Sequence, residues 1–138
     1  MANEEAPLVK TLTADVDAVA AGADGTVNIG RAPFDGTITA VNYVPNATLT
    51  GANTDSRTLS IINKGQSGSG TTSVASKAFT SGVNAPASDE TPLTLSGTAA
   101  NLNVVQGDIL AFVSTHVGST GLADPGGLVE IDITRTNA

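Results

Sequence analysis

The sequence contains no cysteine and no tryptophan, and its aromatic residues are three phenylalanines and one tyrosine in 138 positions. Without cysteine there are no disulfides to staple loops and no thiolates to bind a metal, so stability must come from packing. With only Phe34, Tyr43, Phe79 and Phe112 to supply large rings, the core has to be built from Val, Ile, Leu and Ala. Aromatic side chains bury the most area per residue, so such a core gains less on folding and leans on contacts between subunits. An oligomer is therefore expected. Positive charge is also scarce: six Lys and Arg stand against thirteen Asp and Glu, a formal charge of −7. A field of that sign repels a phosphate backbone, which argues against nucleic acid as a partner. No apolar run approaches the roughly 18 residues of a membrane span, so no membrane partner is expected. Residues 1–7 lack the basic and apolar regions of a secretion signal.

Helical spacing of apolar residues is missing as well, whereas alternation with a period of two is well represented. Its clearest case is Val129, Ile131 and Ile133 interleaved with Glu130, Asp132 and Thr134, preceded by the turn Asp124-Pro125-Gly126-Gly127. The run Ile109-Leu110-Ala111-Phe112-Val113 reads as a strand covered on both faces, hence a central one, over 108–115. Segments 26–31, 36–44 and 57–63 are rich in β-branched residues and bounded by Gly, Pro, Asn or Asp; 9–16, 72–79 and 92–96 follow the same pattern less strongly. These make eight strands and predict one all-β domain, a jelly-roll-like β-sandwich or barrel over residues 9–138, behind an extended N-terminal arm, residues 1–8. The expected core is led by Ile38, Leu59, Ile61, Ile109, Phe112, Val129, Ile131 and Ile133. Residues 64–72 and 81–91 read as exposed, mobile loops, and 18–25 as a short helical turn limited by Gly22 and Gly25.

Candidates for chemistry are few. A catalytic site needs a nucleophile with its base, two carboxylates with separated pKa values, or a metal with three or more ligands. His116 is the single histidine and no G-x-S-x-G elbow accompanies it, so it reads as a strand-end or loop residue. Asp15, Asp17, Asp89 and Glu90 supply hard oxygens of the kind Ca²⁺ takes, but no loop has the spacing of a calcium site, and they read as a solvated acidic surface. Gly30-Arg31-Ala32-Pro33-Phe34-Asp35-Gly36 lacks the Lys-Ser/Thr pair of a phosphate loop and reads as a turn between strands. Asn46-Ala47-Thr48 fits the glycosylation acceptor pattern without a secretion signal to support it. No enzyme activity, cofactor or metal is expected.

Four motifs occur in a definite order: G-x-I-x-x-V-x-Y at Gly36 to Tyr43, T-G-A-x-T-x-x-R at Thr50 to Arg57, G-D-x-L at Gly107 to Leu110, and P-G-G leading into a final strand from Pro125 to Ile133. In this order, over about residues 26–135, the chain resembles the small jelly-roll-like decoration, or cement, proteins of tailed-bacteriophage heads. The resemblance implies a homotrimer on the outer surface of the virion, bound to the major capsid protein and tying neighbouring capsid subunits together. Bridging contacts that only an assembled shell offers would stabilise it by mass action, and linked subunits would multiply a weak contact through effective concentration. On that reading the polar arm supplies contact residues, Asn3, Glu4, Glu5, Pro7 and Leu8, because it is too poor in apolar residues to fold alone. The competing reading is a receptor- or glycan-binding module of a head fibre or tail tip. Sugar sites stack rings on the pyranose face, and four aromatics without Trp supply that poorly.

Overall fold

The computed structural model describes residues 8–136. In chain order its strands are β1 (Val9–Val16), β2 (Gly25–Arg31), β3 (Gly36–Pro45), β4 (Ser56–Asn63), β5 (Thr72–Phe79), β6 (Thr91–Pro92), β7 (Thr94–Leu95), β8 (Asn103–Val104), β9 (Ile109–Val117) and β10 (Gly127–Arg135). One sheet runs β1-β10-β3-β6, with β8 also paired to β3; the other runs β2-β9-β4-β5-β7. Every pairing is antiparallel. The result is an all-β sandwich of the jelly-roll kind. Among the described residues there is no α-helix, only a four-residue 3₁₀ turn, Ala99–Leu102.

Alternation does most of the positioning. In β10 the buried residues are Gly127, Val129, Ile131 and Ile133, alternating with half-buried Leu128, Glu130, Asp132 and Thr134, as the sequence requires of a strand with one covered face. In β3 the pattern breaks: Ile38 and Val41 are both buried although they are three apart. A bulge explains this, because Ile133 pairs with Ile38 and Asp132 with Ala40, leaving Thr39 as the extra residue that restores the inward register. Across the core, Tyr43 of β3 stacks on Phe112 of β9 with ring centroids 5.7 Å apart, so two of the four aromatics join the two sheets.

Several expectations need correction. Ile109 is half-buried rather than a core residue, and Leu110 takes its place. The reason is register: Leu110 and Phe112 point inward, and Ile109, three residues from Phe112, cannot share that face of a regular strand. Strand β9 is interior to its sheet as expected, but of its outward residues Ala111 is buried while Ile109 and Val113 are half-buried. The eight strands become ten because 92–96 divides into β6 and β7 on different sheets and β8 is added. Residues 18–25 form a hydrogen-bonded turn, Ala23 N–H to Ala20 C=O, with no helix. The loop 81–91 is anchored where free exposure was expected: Ala85 is buried and exchanges backbone hydrogen bonds with Leu49.

The sandwich has two ends. The start of β1, the end of β10 and the β2–β3 turn lie at one, which also holds the loops 64–71 and 105–108. The loops after β1, β3, β5 and β9 lie at the other. Replacing fully buried Ile131 by Ala is expected to cost roughly 2–5 kcal/mol of unfolding free energy, whereas Ile109→Ala should cost about 1 kcal/mol or less. Denaturant titration of the two variants checks this; equal losses would mean that the faces of β9 are wrongly assigned.

Candidate functional site

The loop end opposite the start of β1 is organised by a buried cation. On β4, Arg57, Leu59 and Ile61 share the inward face, so the alternation that buries two aliphatic side chains buries Arg57 too, to 0% exposure. Its Nε donates to Leu122 C=O at 2.6 Å, Nη1 to Ser114 Oγ at 2.9 Å, and Nη2 to the carbonyls of Ala20 and Ala23 at 3.1 and 3.0 Å. Ser114 stands on β9 in line with Leu110 and Phe112, where that strand's inner face turns polar. One guanidinium thus ties the β1–β2 and β9–β10 connections to the interior of the second sheet. Burial lowers its pKa from the ordinary value, opposed by the charges of Asp124 and Asp24, and a guanidinium stays protonated throughout the accessible range.

Next to it lies Asp124, 1% exposed, whose Oδ1 accepts from the Tyr43 hydroxyl at 2.5 Å and from Gly126 N–H at 3.0 Å. Its backbone exchanges hydrogen bonds with Val19, and its Oδ2 has no hydrogen-bond partner among the described residues. Burial, then the bond to Asp124, push the Tyr43 phenol up from its ordinary value, so Tyr43 serves as a donor and is no proton source at neutral pH.

His116 is the penultimate residue of β9 and its Nδ1 is 2.7 Å from Asp24 Oδ1; the same oxygen accepts from the His116 backbone N–H at 2.9 Å. The backbone hydrogen bond, then the side-chain one, hold the Asp24 carboxyl below its ordinary value. A histidine oriented by a carboxylate is two parts of a nucleophilic triad. The third part is missing among the described residues: no serine or threonine hydroxyl hydrogen-bonds this ring, and Gly121 packs against the His116 side chain. The pair therefore fastens the loop before β2 to the end of β9.

At the other end the chemistry is different. Arg31, Lys64, Gln66 and Asn28 line a groove of about 390 Å³ on the outer side of the second sheet, with Ile109 as an apolar wall. The loop 64–68 is held there by Lys64 N–H to Ile109 C=O, Ile109 N–H to Gly65 C=O, and Gln66 Nε2 to Gln106 C=O. Beside it a smaller recess of about 270 Å³ is lined by Phe34, Asp35, Gln106, Arg135 and Thr136, and the Arg135 guanidinium lies 6.0 Å from the Phe34 ring centroid. Three of the six basic residues, Arg31, Lys64 and Arg135, thus line these two recesses, and Lys10, the second residue of β1, stands at the same end. The carboxylates there are engaged by backbone amides: Gln106 N–H donates to Asp35 and Val105 N–H to Asp108. Among the described residues no carboxylate lies within ion-pair distance of Arg31 or Lys64. The opposite end carries exposed or half-exposed Asp15, Asp17, Asp24, Asp55, Asp89 and Glu90.

Of the contact residues expected from the sequence, Asn3, Glu4, Glu5 and Pro7 lie outside the described residues. Leu8 is 52% exposed, and its carbonyl accepts from Arg135 N–H, which places the point where residues 1–7 join the domain at the cationic end. The acidic pairs Asp15/Asp17 and Asp89/Glu90 are not brought together with further ligands; the described residues hold no group of three that could bind a metal ion. Asn46 is exposed in the turn after β3. Sequence reading missed Arg57 as an organising residue, although its spacing of two and four from Leu59 and Ile61 is the signal that places it inside.

No protein-family model matches the chain, and no curated protein matches it. Among solved structures, one described as "Structure of infectious bursal disease virus Gx strain" is similar to it with a TM-score of 0.47 and 16% sequence identity, over 95% of this chain and 32% of that one. The chain spans about a third of the length of that neighbour.

Replacing Arg57 by Met strands three loop carbonyls and the Ser114 hydroxyl, and is expected to destabilise the fold by roughly 3–5 kcal/mol; chemical denaturation measures it. Asp24→Asn should lower the melting temperature at pH 7. Because the folded carboxyl titrates below its ordinary value of 3.8, Asp24 contributes stability above that pH and loses it as pH falls through the lowered pKa. The difference between variant and wild type should therefore shrink as pH falls below 3.8 and close once pH is below the lowered pKa, and a difference that stays constant through that acid range would refute the ionic role.

Proposed function

We propose that this chain is a non-enzymatic structural protein of the virion, which attaches to the outer surface of a tailed-bacteriophage capsid and stabilises it by bridging neighbouring major capsid subunits. It does so as a homotrimer, and Asn3, Glu4, Glu5, Pro7 and Leu8 supply contacts from the amino terminus. The observation that carries this reading is the sorting of charge to opposite ends of one β body, with the amino terminus joining at the cationic end. A body of this kind presents fixed, broad polar surfaces in a defined orientation, as attachment to a lattice of subunits requires. The order of the four motifs supports the same reading. Their glycines have physical work in the fold: a Cβ on Gly51 would overlap the carbonyl oxygens of Thr80 and Val83, and one on Gly127 would overlap Val44 C=O. The groove walls contain no aromatic ring on which a sugar could stack, which disfavours the glycan-binding alternative.

The test is binding to assembled shells. The purified protein should bind mature, expanded capsids and leave free coat subunits unbound, and capsids lacking it should open at lower temperature or force. Deleting residues 1–7 should weaken capsid binding more than it lowers the melting temperature of the domain. Saturation of capsids at the same concentration by the truncated and full chains would remove the arm from the contact, and no binding by either would refute the function.

A further inference from the structure

We propose that the groove between Arg31 and Lys64 receives the acidic segment Glu4-Glu5 from a second copy of this chain, so that copies associate side by side through arm and groove. This deepens the preceding reading and rests on its assignment of residues 1–8 as a contact arm.

Four observations carry it. In a chain of formal charge −7, two of only six basic side chains flank one groove and neither has a carboxylate within ion-pair distance among the described residues. The groove offers donors suited to carboxylates: the Arg31 guanidinium, the Lys64 ammonium, and the amides of Asn28 and Gln66. Its wall includes half-buried Ile109, an apolar surface for the uncharged part of a bound segment. Lastly, the arm starts nearby. Leu8 is bonded to Arg135, Thr136 N–H donates to Asp35 C=O, Asp35 accepts from Gln106 N–H, and Gln106 C=O accepts from Gln66 of the groove loop. Four extended residues carry Glu4 at most about 14 Å from Leu8, so the receiving groove belongs to a copy packed directly against this end. An arm and a groove at the same end favour copies standing in parallel, a head-to-tail contact between neighbours that closes into a ring. Glu4 and Glu5 lie just ahead of Leu8, and their charge is opposite in sign to that of the groove.

Charge swapping in the full chain tests the pairing. One variant reverses the arm, Glu4→Lys with Glu5→Lys; a second reverses the groove, Arg31→Glu with Lys64→Glu; a third carries all four changes. A neutral groove, Arg31→Gln with Lys64→Gln, guards against a reversal that disturbs folding, and melting temperatures confirm that each variant is folded. In sedimentation equilibrium the wild type should associate at micromolar concentration and dissociate as salt is raised. Either reversal should raise the dissociation constant roughly tenfold or more, the neutral groove should raise it less, and the four-fold variant should recover association. Mixing the arm-reversed and groove-reversed chains should restore part of the association that neither shows alone, because contacts between unlike chains are matched, while in a ring of three one contact still joins like chains.

A monomeric wild type, or reversals without effect, would overturn the proposal. Recovery in the four-fold variant without recovery in the mixture would place the arm in its own chain's groove and overturn it equally. If the groove variants associate as the wild type does but lose attachment to capsids, the groove serves the capsid, the proposal fails and the proposed function stands. If the swap behaves as expected while the wild type binds no capsid, the proposed function fails and the groove assignment stands.

Discussion

Arg57 carries a permanent charge into the interior of a sandwich that has few large side chains to spare, and the loops at one end are arranged around it. A buried charge is costly unless its donors are satisfied. Here satisfaction comes from three backbone carbonyls and one hydroxyl, with Asp124 and Asp24 contributing charge at longer range. Irregular loops are poor at satisfying their own carbonyls, so the exchange works in both directions. The guanidinium gains acceptors, and the chain gains fixed loop paths without helices or disulfides. Lysine could not replace it, because the fork addresses carbonyls from two separate loops and a strand hydroxyl at once.

That constraint shapes the surface. With the loops of one end pinned from inside, the carboxylates they carry are held on its outside, apart from Asp124, which is itself inside and bonded to Tyr43. At the opposite end the loops are tied by amides of Asn63, Gln66 and the chain segment 105–108, and the side chains that line the groove there include the cations Arg31 and Lys64. Charge separation in this protein is thus a consequence of which residues fix each set of loops. A separated distribution orients the molecule toward a charged partner before contact, which influences encounter and register more than final affinity.

Much of this was legible in the sequence, for reasons visible in particular residues. The strand containing Ile131 could be read because one of its faces is covered and its alternation is unbroken. Ile109 was misplaced because a continuous apolar run hides its period: every residue from 109 to 113 is apolar, and only pairing with β2 and β4 shows which way each points. The bulge at Thr39 was illegible, since it depends on the partner strand. The two-residue strands β6, β7 and β8 are too short to carry a period. Arg57 had a readable signal, its register with Leu59 and Ile61, but hydrophobicity alone assigns arginine to the surface. The groove was not legible, because Arg31, Lys64 and Ile109 are far apart in the sequence and are joined by sheet pairing and by the loop 64–68.

The topology explains why an arm here would have a defined origin. Strand β1 pairs along its whole length with β10, so Leu8 is fastened beside Arg135, and among the described residues the sole long pairing between consecutive strands is β4 with β5. Pairings so distant in sequence fold slowly, since loop closure precedes the contacts that reward it. Once formed, they fix Leu8 and Arg135 side by side. A segment ahead of Leu8 therefore leaves from a point set by the register of β1 on β10, beside the cations of the groove loop and Arg135. A one-residue slip of that register would carry Leu12, packed toward Gly30 of β2, to the outer face, and would move the origin of the arm with it. The same apolar contacts that hold the sandwich together thereby set where its amino terminus departs.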